Sequence, residues 1–304
     1  MRRIHDEEAD TGEDVVRSLV RSAGPAWAGL PLRPLSTSGT DHAMYRLGDD
    51  LVVRLPRTAG AAESLVGELG QLEVVARVVP VPVPVVVHRG EPDGAYPYPW
   101  AVLTWLDGED AWAARDRLGG AADLALAEDL AAVVTALRAA SPTGLVRRGS
   151  GRRGGPLAGV LDRAHRWLAG ESGPLPAWVD TDRVRRRLDR CAGAADADVA
   201  YVPTHGDLIP GNLLVRDGRL TAVIDWGYLT AADPALDVVP AWAVLDGPAR
   251  RRYRSLLDVD DATWARAWAN GVEQALGGIA YYTPRGHPLA DVMSRTLRRH
   301  LEDS

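Results

Sequence analysis

The 304-residue chain predicts an α+β fold in two lobes. The first, residues 1–106, is small and β-rich with one main helix; the second, residues 107–304, is larger and mainly helical. Three observations carry this reading. Strand and hairpin patterns dominate the first hundred residues, and helical periodicities dominate the rest. Between them, Asp107-Gly108-Glu109 interrupts a strongly apolar strand. A chain of this length buries a sizeable core and is expected to form two lobes of one catalytic unit.

In chain order, residues 13–23 carry helical periodicity with Val16, Leu19 and Val20 apolar, and Pro25 stops the helix. The turn-rich Ser36-Thr37-Ser38-Gly39-Thr40 lies between strand-like stretches. Met44–Leu47 and Leu51–Leu55 flank Gly48-Asp49-Asp50 and read as a hairpin. Residues 61–75 form a helix with Leu65, Leu69 and Leu72 on one face. The alternating Val-Pro run 79–84 excludes both helix and central strand and reads as an extended connector. Trp100–Leu106 is a strand ending in a hinge at 103–106. Beyond it, helices are expected at 122–140, 157–169, 179–192, 235–245, 249–257, 262–276 and 288–302. The basic stretch 147–155 reads as a solvated, flexible loop, a substrate or phosphate contact being the other reading.

Composition narrows the function. A net charge of −6 argues against a general nucleic-acid binder. No apolar run approaches the roughly 20 residues of a membrane helix. The first residues lack the apolar core of a signal peptide. The single cysteine, Cys191, excludes an internal disulfide and a thiolate-rich metal site and reads as a small buried side chain. A cytoplasmic enzyme is expected, as monomer or homodimer. The chain has ten Trp but neither Phe nor Lys, where average usage gives roughly a dozen of each. A high-GC genome and a deliberately reduced alphabet are the two explanations.

The richest stretch is Thr204-His205-Gly206-Asp207-Leu208-Ile209-Pro210-Gly211-Asn212, followed by Ala222-Val223-Ile224-Asp225-Trp226-Gly227. Gly206, Pro210 and Gly211 supply turn geometry. Leu213-Leu214-Val215 and Leu220–Ile224 read as strands joined by Asp217-Gly218, a two-residue hairpin signal that carries Asp225 back beside Asn212. An Asp that orients a hydroxyl and takes its proton, with an Asn and an Asp holding Mg²⁺ against phosphates, is a set that runs phosphoryl transfer. Asp207 is then the catalytic base, and Asn212 and Asp225 are the hard oxygen ligands of Mg²⁺. His205 reads as a loop hydrogen-bonder.

These segments resemble the aminoglycoside phosphotransferase family, antibiotic kinases related in fold to protein kinases. Asp41–Gly48 and Leu51–Arg57 resemble that family's nucleotide-lobe strands, and Trp226-Gly227 with Ala232–Asp237 resembles its segment after the metal Asp. The resemblance runs from about residue 30 to 300; it is specific for reaction type and loose for substrate. It implies a bilobal protein-kinase-like fold and ATP or GTP as phosphoryl donor. It also implies a cation on the third strand reaching the α- and β-phosphates. Related enzymes use Lys there; here Arg54 occupies the place, and its guanidinium can hold phosphate bidentately. Glu68, three residues after Leu65 and four before Leu72, shares their inward face and is the expected partner of Arg54. Ser38, Gly39 and Thr40 are expected to cover the phosphates with backbone N–H groups, although they form no G-x-G-x-x-G loop. Leu103 and Trp105, in the 103–106 hinge, are expected to offer backbone groups to the base.

The acceptor is a small molecule. Eight acidic residues against two Arg between 196 and 247 suggest an acidic floor suited to a cationic antibiotic, an aminoglycoside or basic peptide. A macrolide, a nucleoside or an amino alcohol remains open, and choline, homoserine and sugar kinases share the fold, so a metabolic kinase is the alternative. A nucleotide-binding pseudokinase is the third reading.

Overall fold

The computed structural model describes residues 7–35, 41–171, 173–195 and 198–302. The chain folds into two compact units. The first comprises residues 1–77, 81–108 and 222–228; the second comprises 78–80, 109–221 and 229–304.

The first unit is a five-stranded antiparallel sheet with two long helices. In chain order it holds α1 (Glu13–Ala23), β1 (Leu32–Pro34), β2 (His42–Leu47), β3 (Leu51–Pro56), α2 (Ala59–Val78), β4 (Val86–Gly90) and β5 (Trp100–Thr104). The strand order is β1-β2-β3-β5-β4. β3 is therefore internal, its residues 51–54 paired with both β2 and β5. The two-residue alternation of a strand splits β3 between faces. Val53 and Leu55 join Val16, Leu19 and Val20 of α1, together with Tyr45, Leu47, Tyr96 and Trp100, in the apolar core. Arg54 takes the other face, toward α2.

The helix expected at 61–75 runs longer, over Ala59–Val78, and buries Leu65, Glu68, Leu69, Leu72 and Val75. The Val-Pro connector gives way at Val86 to β4, a short strand that the sequence reading missed and whose register slips between Val86 and His88.

The second unit is mainly helical. It contains β6 (Glu109–Asp110), α3 (Ala121–Ala139), α4 (Leu157–Leu168), α5 (Thr181–Cys191), β7 (Val202–Thr204), β8 (Leu213–Arg216), β9 (Arg219–Val223), β10 (Thr230–Ala232), α6 (Pro240–Ala243), α7 (Gly247–Leu256), α8 (Asp261–Tyr282) and α9 (Leu289–Glu302). The last two residues of β9 belong to the first unit. β6, β8 and β9 form one small sheet and β7 and β10 another. Asp180, Asp246 and Asp260 cap α5, α7 and α8 by accepting the N–H three residues on. Asp217 and Gly218, at φ 52° and 75°, form the tight hairpin turn between β8 and β9. Cys191 is buried, and burial pushes its thiol up to about 11.

Two expectations change here. The single helix at 235–245 is instead a 3₁₀ turn over Pro234–Val238 followed by α6. The solvated loop at 147–155 is instead strapped down: Arg148 N–H donates to Ala231, Gly154 N–H to Asn270 Oδ1 at 2.7 Å, and Asp233 N–H to Gly154 O. Among the described residues no helix is long and apolar enough to cross a membrane.

Candidate active site

The residues singled out from sequence fall into two clusters, one in each unit. In the first unit Arg54 is 5% exposed and Glu68 1%. Arg54 Nη1 donates to Glu68 Oε1 at 2.8 Å, and Nη2 donates to Asp225 Oδ1 at 2.9 Å and lies 3.3 Å from His42 Nδ1. Glu68 Oε1 also accepts the Trp226 N–H at 3.0 Å. Burial works against the Arg54 charge, but Glu68 and then Asp225 outweigh it and hold the guanidinium above its ordinary value. Burial raises the Glu68 carboxyl against the pull of Arg54. Burial, then Arg54, lowers His42 to about 3, so this imidazole is neutral and accepts from the guanidinium. A guanidinium carries five N–H donors. Three face these protein groups, and two are left over. The Arg54–Glu68 pairing expected from helix phase is therefore present, and Arg54 sits on an internal strand.

Asp225 stands at φ 62°, a left-handed conformation uncommon for a side chain bearing a Cβ. Such strain persists only where surroundings over-determine it. Here Arg54 holds the carboxylate and Glu68 the next N–H.

In the second unit Asp207 follows Gly206, whose φ of 82° glycine adopts without strain. The loop is pinned from beneath by Asp237, 1% exposed, whose carboxylate accepts His205 N–H at 2.7 Å and Gly206 N–H at 2.9 Å. His205, fully buried, accepts the Asp207 N–H on Nδ1 at 3.2 Å. It hydrogen-bonds the loop, as expected. Asn212 Nδ2 donates to Asp207 O at 2.8 Å and to Oδ2 at 3.3 Å, which leaves the Asn212 carbonyl oxygen as the atom it can give a cation. Asp207 Oδ1 accepts from Gln274 Nε2 at 2.8 Å and lies 3.5 Å from Arg153 Nη2.

Sequence reasoning missed three of these residues. Asp237 could have been found: it is a lone charge in the apolar run Ala235-Leu236-Asp237-Val238-Val239, and such a charge must be paired. Gln274 follows Asn270 by four residues on one face of α8, a weaker signal. Nothing in its spacing marks Arg153 within its basic loop.

Other expectations meet the structure unevenly. Ser38, Gly39 and Thr40 lie outside the described residues. Leu103 is buried in β5, between Val52 and Val86. The Trp105 N–H is taken by Asp50 O at 2.7 Å, and its ring lies 3.8 Å below the Arg46 guanidinium.

Four of the acids expected in the acidic floor are engaged elsewhere. Asp233 pairs with Arg266 at 2.7 Å in a buried ion pair, Asp237 holds the loop, Asp246 caps α7, and Asp217 sits in the hairpin turn.

Among the described residues no group of three or more His, Cys, Asp or Glu is arranged as a metal cage. A carboxylate and an amide carbonyl do fit Mg²⁺, which takes one or two protein oxygens and completes its shell with water and substrate phosphates.

Residues 32–273 match the sequence model described as the phosphotransferase enzyme family. Searched against curated protein sequences, the chain finds no significant match. Among solved structures it is similar to the GDP complex of wild-type aminoglycoside 2'-phosphotransferase-IIIa, with a TM-score of 0.76 and 18% identity over 96% of this chain and 98% of that one. The GDP and kanamycin complex of APH(2")-IIia gives 0.73 and 17%, over 95% and 97%. Macrolide 2'-phosphotransferase MphH from Brachybacterium faecium gives 0.58 and 22%, over 94% and 98%. At these identities the likeness establishes the fold, which is α+β and protein-kinase-like.

Proposed function

The chain belongs to the phosphotransferase enzyme family, and from that premise we propose that it moves the γ-phosphoryl group of a Mg-nucleotide, ATP or GTP, to a hydroxyl of a small-molecule antibiotic. The observation that carries this is the anchoring of Asp207. Its own N–H is bound by His205, the two preceding N–H groups by Asp237, and its carbonyl by Asn212, so the carboxylate is presented from a fixed loop. A loose phosphoryl transition state asks for an oriented hydroxyl more than for a strong base, and a rigid carboxylate supplies orientation. Asp207 accepts the hydroxyl proton; Gln274 holds the oxygen that does not.

Asn212 and Asp225 are the oxygen ligands of Mg²⁺, which when bound neutralises phosphate charge. Arg54 gives its two remaining N–H donors to the nucleotide phosphates, and Glu68 fixes its aim. The 103–106 segment contacts the base through groups other than the N–H of Trp105. Solved relatives hold GDP and kanamycin, and another acts on a macrolide. The engagement of four of those acids elsewhere, and Arg153 beside Asp207, weaken the electrostatic case for a polycation. Aminoglycosides and macrolides therefore stand as equal acceptor classes.

The test is a panel of aminoglycosides, macrolides and peptide antibiotics assayed by consumption of ATP and of GTP with Mg²⁺. We expect turnover with at least one member and its loss, by more than a thousand-fold, in Asp207→Ala, with nucleotide affinity held within a few-fold. Parent-like turnover in Asp207→Ala overturns the assignment of the base, and a panel with no acceptor at all overturns the antibiotic reading.

A further inference from the structure

The second unit contains a cavity of about 270 Å³, just below the usual range for ligand pockets, and neither Asp207 nor Asn212 lines it. One part of its wall is charged, with Arg115, Asp123, Asp246, Arg295 and Arg299. The rest is apolar, with Trp112, Leu118, Ala243 and Val244.

Most of the charged wall is already spoken for. Arg115 donates to Trp112 O and its guanidinium lies 4.4 Å from the Trp112 ring. Arg299 gives one N–H to Val244 O at 2.8 Å, and Asp246 caps α7. Two groups are left over. Among the described residues the Arg295 side chain makes no hydrogen bond or ion pair; its guanidinium lies 5.9 Å from the Trp112 ring. Asp123 is 3% exposed; its Oδ2 accepts the Asp246 N–H at 2.9 Å, but its Oδ1 is buried without a partner. An orphaned buried carboxylate oxygen costs about 1–3 kcal/mol or more unless something donates to it. Burial raises the Asp123 carboxyl, and Arg299 and then Arg295 pull it back without bonding it.

The inventory thus reads as a pair of guanidiniums with donors to spare, a carboxylate oxygen lacking a donor, and an apolar wall between α6 and the segment before α3. We propose that this pocket binds a small zwitterion with an apolar tail, of which a free apolar α-amino acid is the simplest member. Its carboxylate meets Arg295 and Arg299, its ammonium is drawn by the charge of the Asp123 carboxylate, and its side chain lies against Trp112, Leu118 and Val244. Pro210, in the loop between Asp207 and Asn212, also lines the cavity, but the proposal uses no phosphotransfer side chain and so stands or falls independently of the acceptor's identity.

The experiment is calorimetric titration of the full chain, without nucleotide or acceptor, using three probes. L-leucine carries both charges, leucinol lacks the carboxylate, and 4-methylpentanoate lacks the ammonium. L-leucine binds, and each analogue binds at least about ten-fold more weakly, as expected for loss of one charge-assisted contact. Arg295→Met loses a similar factor for L-leucine while remaining folded, since the Arg295 side chain makes no hydrogen bond or ion pair within the protein. Asp123→Asn keeps an acceptor for the Asp246 N–H but not the charge, and it too loses about ten-fold. Absence of binding at millimolar L-leucine, equal affinity for all three probes, or unchanged affinity in folded Arg295→Met overturns the proposal.

Discussion

Arg54 carries two duties that pull against each other. It neutralises a buried Glu68 and steadies Asp225, and in the proposed reaction it also reaches phosphate. A lysine could serve one partner at a time; the planar fork of arginine serves several in fixed directions. Arg54→Ala leaves Glu68 buried without its cation, which costs about 3–5 kcal/mol of stability. Where the variant still folds, kcat/KM for nucleotide falls about ten- to a hundred-fold, as for one or two charge-assisted contacts. Arg54→Lys keeps the charge, forfeits the fork and falls between, and Glu68→Ala shows a smaller catalytic loss. Urea melts and nucleotide kinetics on the three variants check this series. Parent-like stability together with parent-like kinetics in Arg54→Ala would show a residue with neither duty.

His300 is a second residue whose burial has a measurable cost. It is fully buried, stacked 4.5 Å from Trp242, with neither ring nitrogen partnered. Burial, reinforced by Arg250 and Arg187, lowers its pKa well below 6.5. The sign follows directly. Above pH 6.5 neither the folded nor the unfolded chain protonates it, and it contributes nothing. Below that value the unfolded chain binds a proton that the folded chain refuses, so stability falls by up to about 1.4 kcal/mol per pH unit. Urea melts of the parent and of His300→Phe, at about pH 7.5 and about pH 5.5, should show a shallower pH slope in the variant. Identical slopes would mean that His300 takes no part in the acid response.

At the scale of elements, α8 is shaped by what its glycines leave out. Gly271 and Gly278 are seven residues apart and face His300 and Met293, seven apart on α9. A Cβ at Gly271 would overlap the His300 ring, and one at Gly278 would overlap Met293. Gly277 turns to α4, where a Cβ would come within 3.2 Å of Trp167. In an exposed helix, Gly→Ala gains about 1 kcal/mol. Here overpacking outweighs that gain, and Gly271→Ala is expected to lose about 1–3 kcal/mol by urea melt. A stabilised variant would mean that α8 and α9 separate easily.

Periodicity found α1, α2, α3, α4, α5 and α9 to within a few residues, because in each the apolar residues recur at helical spacing. The β8–β9 hairpin was legible because Asp217-Gly218 encodes its own turn. β6, β7 and β10, of two or three residues, were not: each exists only through pairing with a distant segment, as Val202–Thr204 pairs with Thr230–Ala232. The helix read at 235–245 failed because Asp237 and Pro240 break it. The Asp237 carboxylate turns to the His205 loop, and a proline is tolerated only in the first turn of the short helix that follows.

For the molecule as a whole, the sequence places Asp225 in the second half, but residues 222–228 fold as part of the first unit. The candidate residues Arg54, Glu68, Asp207, Asn212 and Asp225 were all legible from motif and helix phase, whereas Arg153 and Gln274 were not, since their roles arise only from where distant loops pass. The membership of 222–228 has a consequence for folding. Within the first unit this segment supplies the Asp225 carboxylate to Arg54, the Trp226 N–H to Glu68 and the Val223 N–H to Pro82 O, and its Gly227 O accepts from Ser64. A chain ending at Gly108 lacks all four. It keeps the apolar core around Val16, Val53 and Trp100, but Glu68 then lies buried with a single charged partner and one donor fewer. Partial dismantling of a buried charged network costs several kcal/mol, against a total of about 5–15 kcal/mol for a whole domain. Residues 1–108 expressed alone should therefore melt without a cooperative transition, or far below the parent. Appending residues 217–229 through a flexible Gly/Ser linker should restore a cooperative melt, because the tether returns the missing partners at high effective concentration. Circular dichroism melts of the two fragments decide the matter. If residues 1–108 alone melt cooperatively near the parent temperature, the segment carrying Asp225 contributes nothing to holding the first unit together.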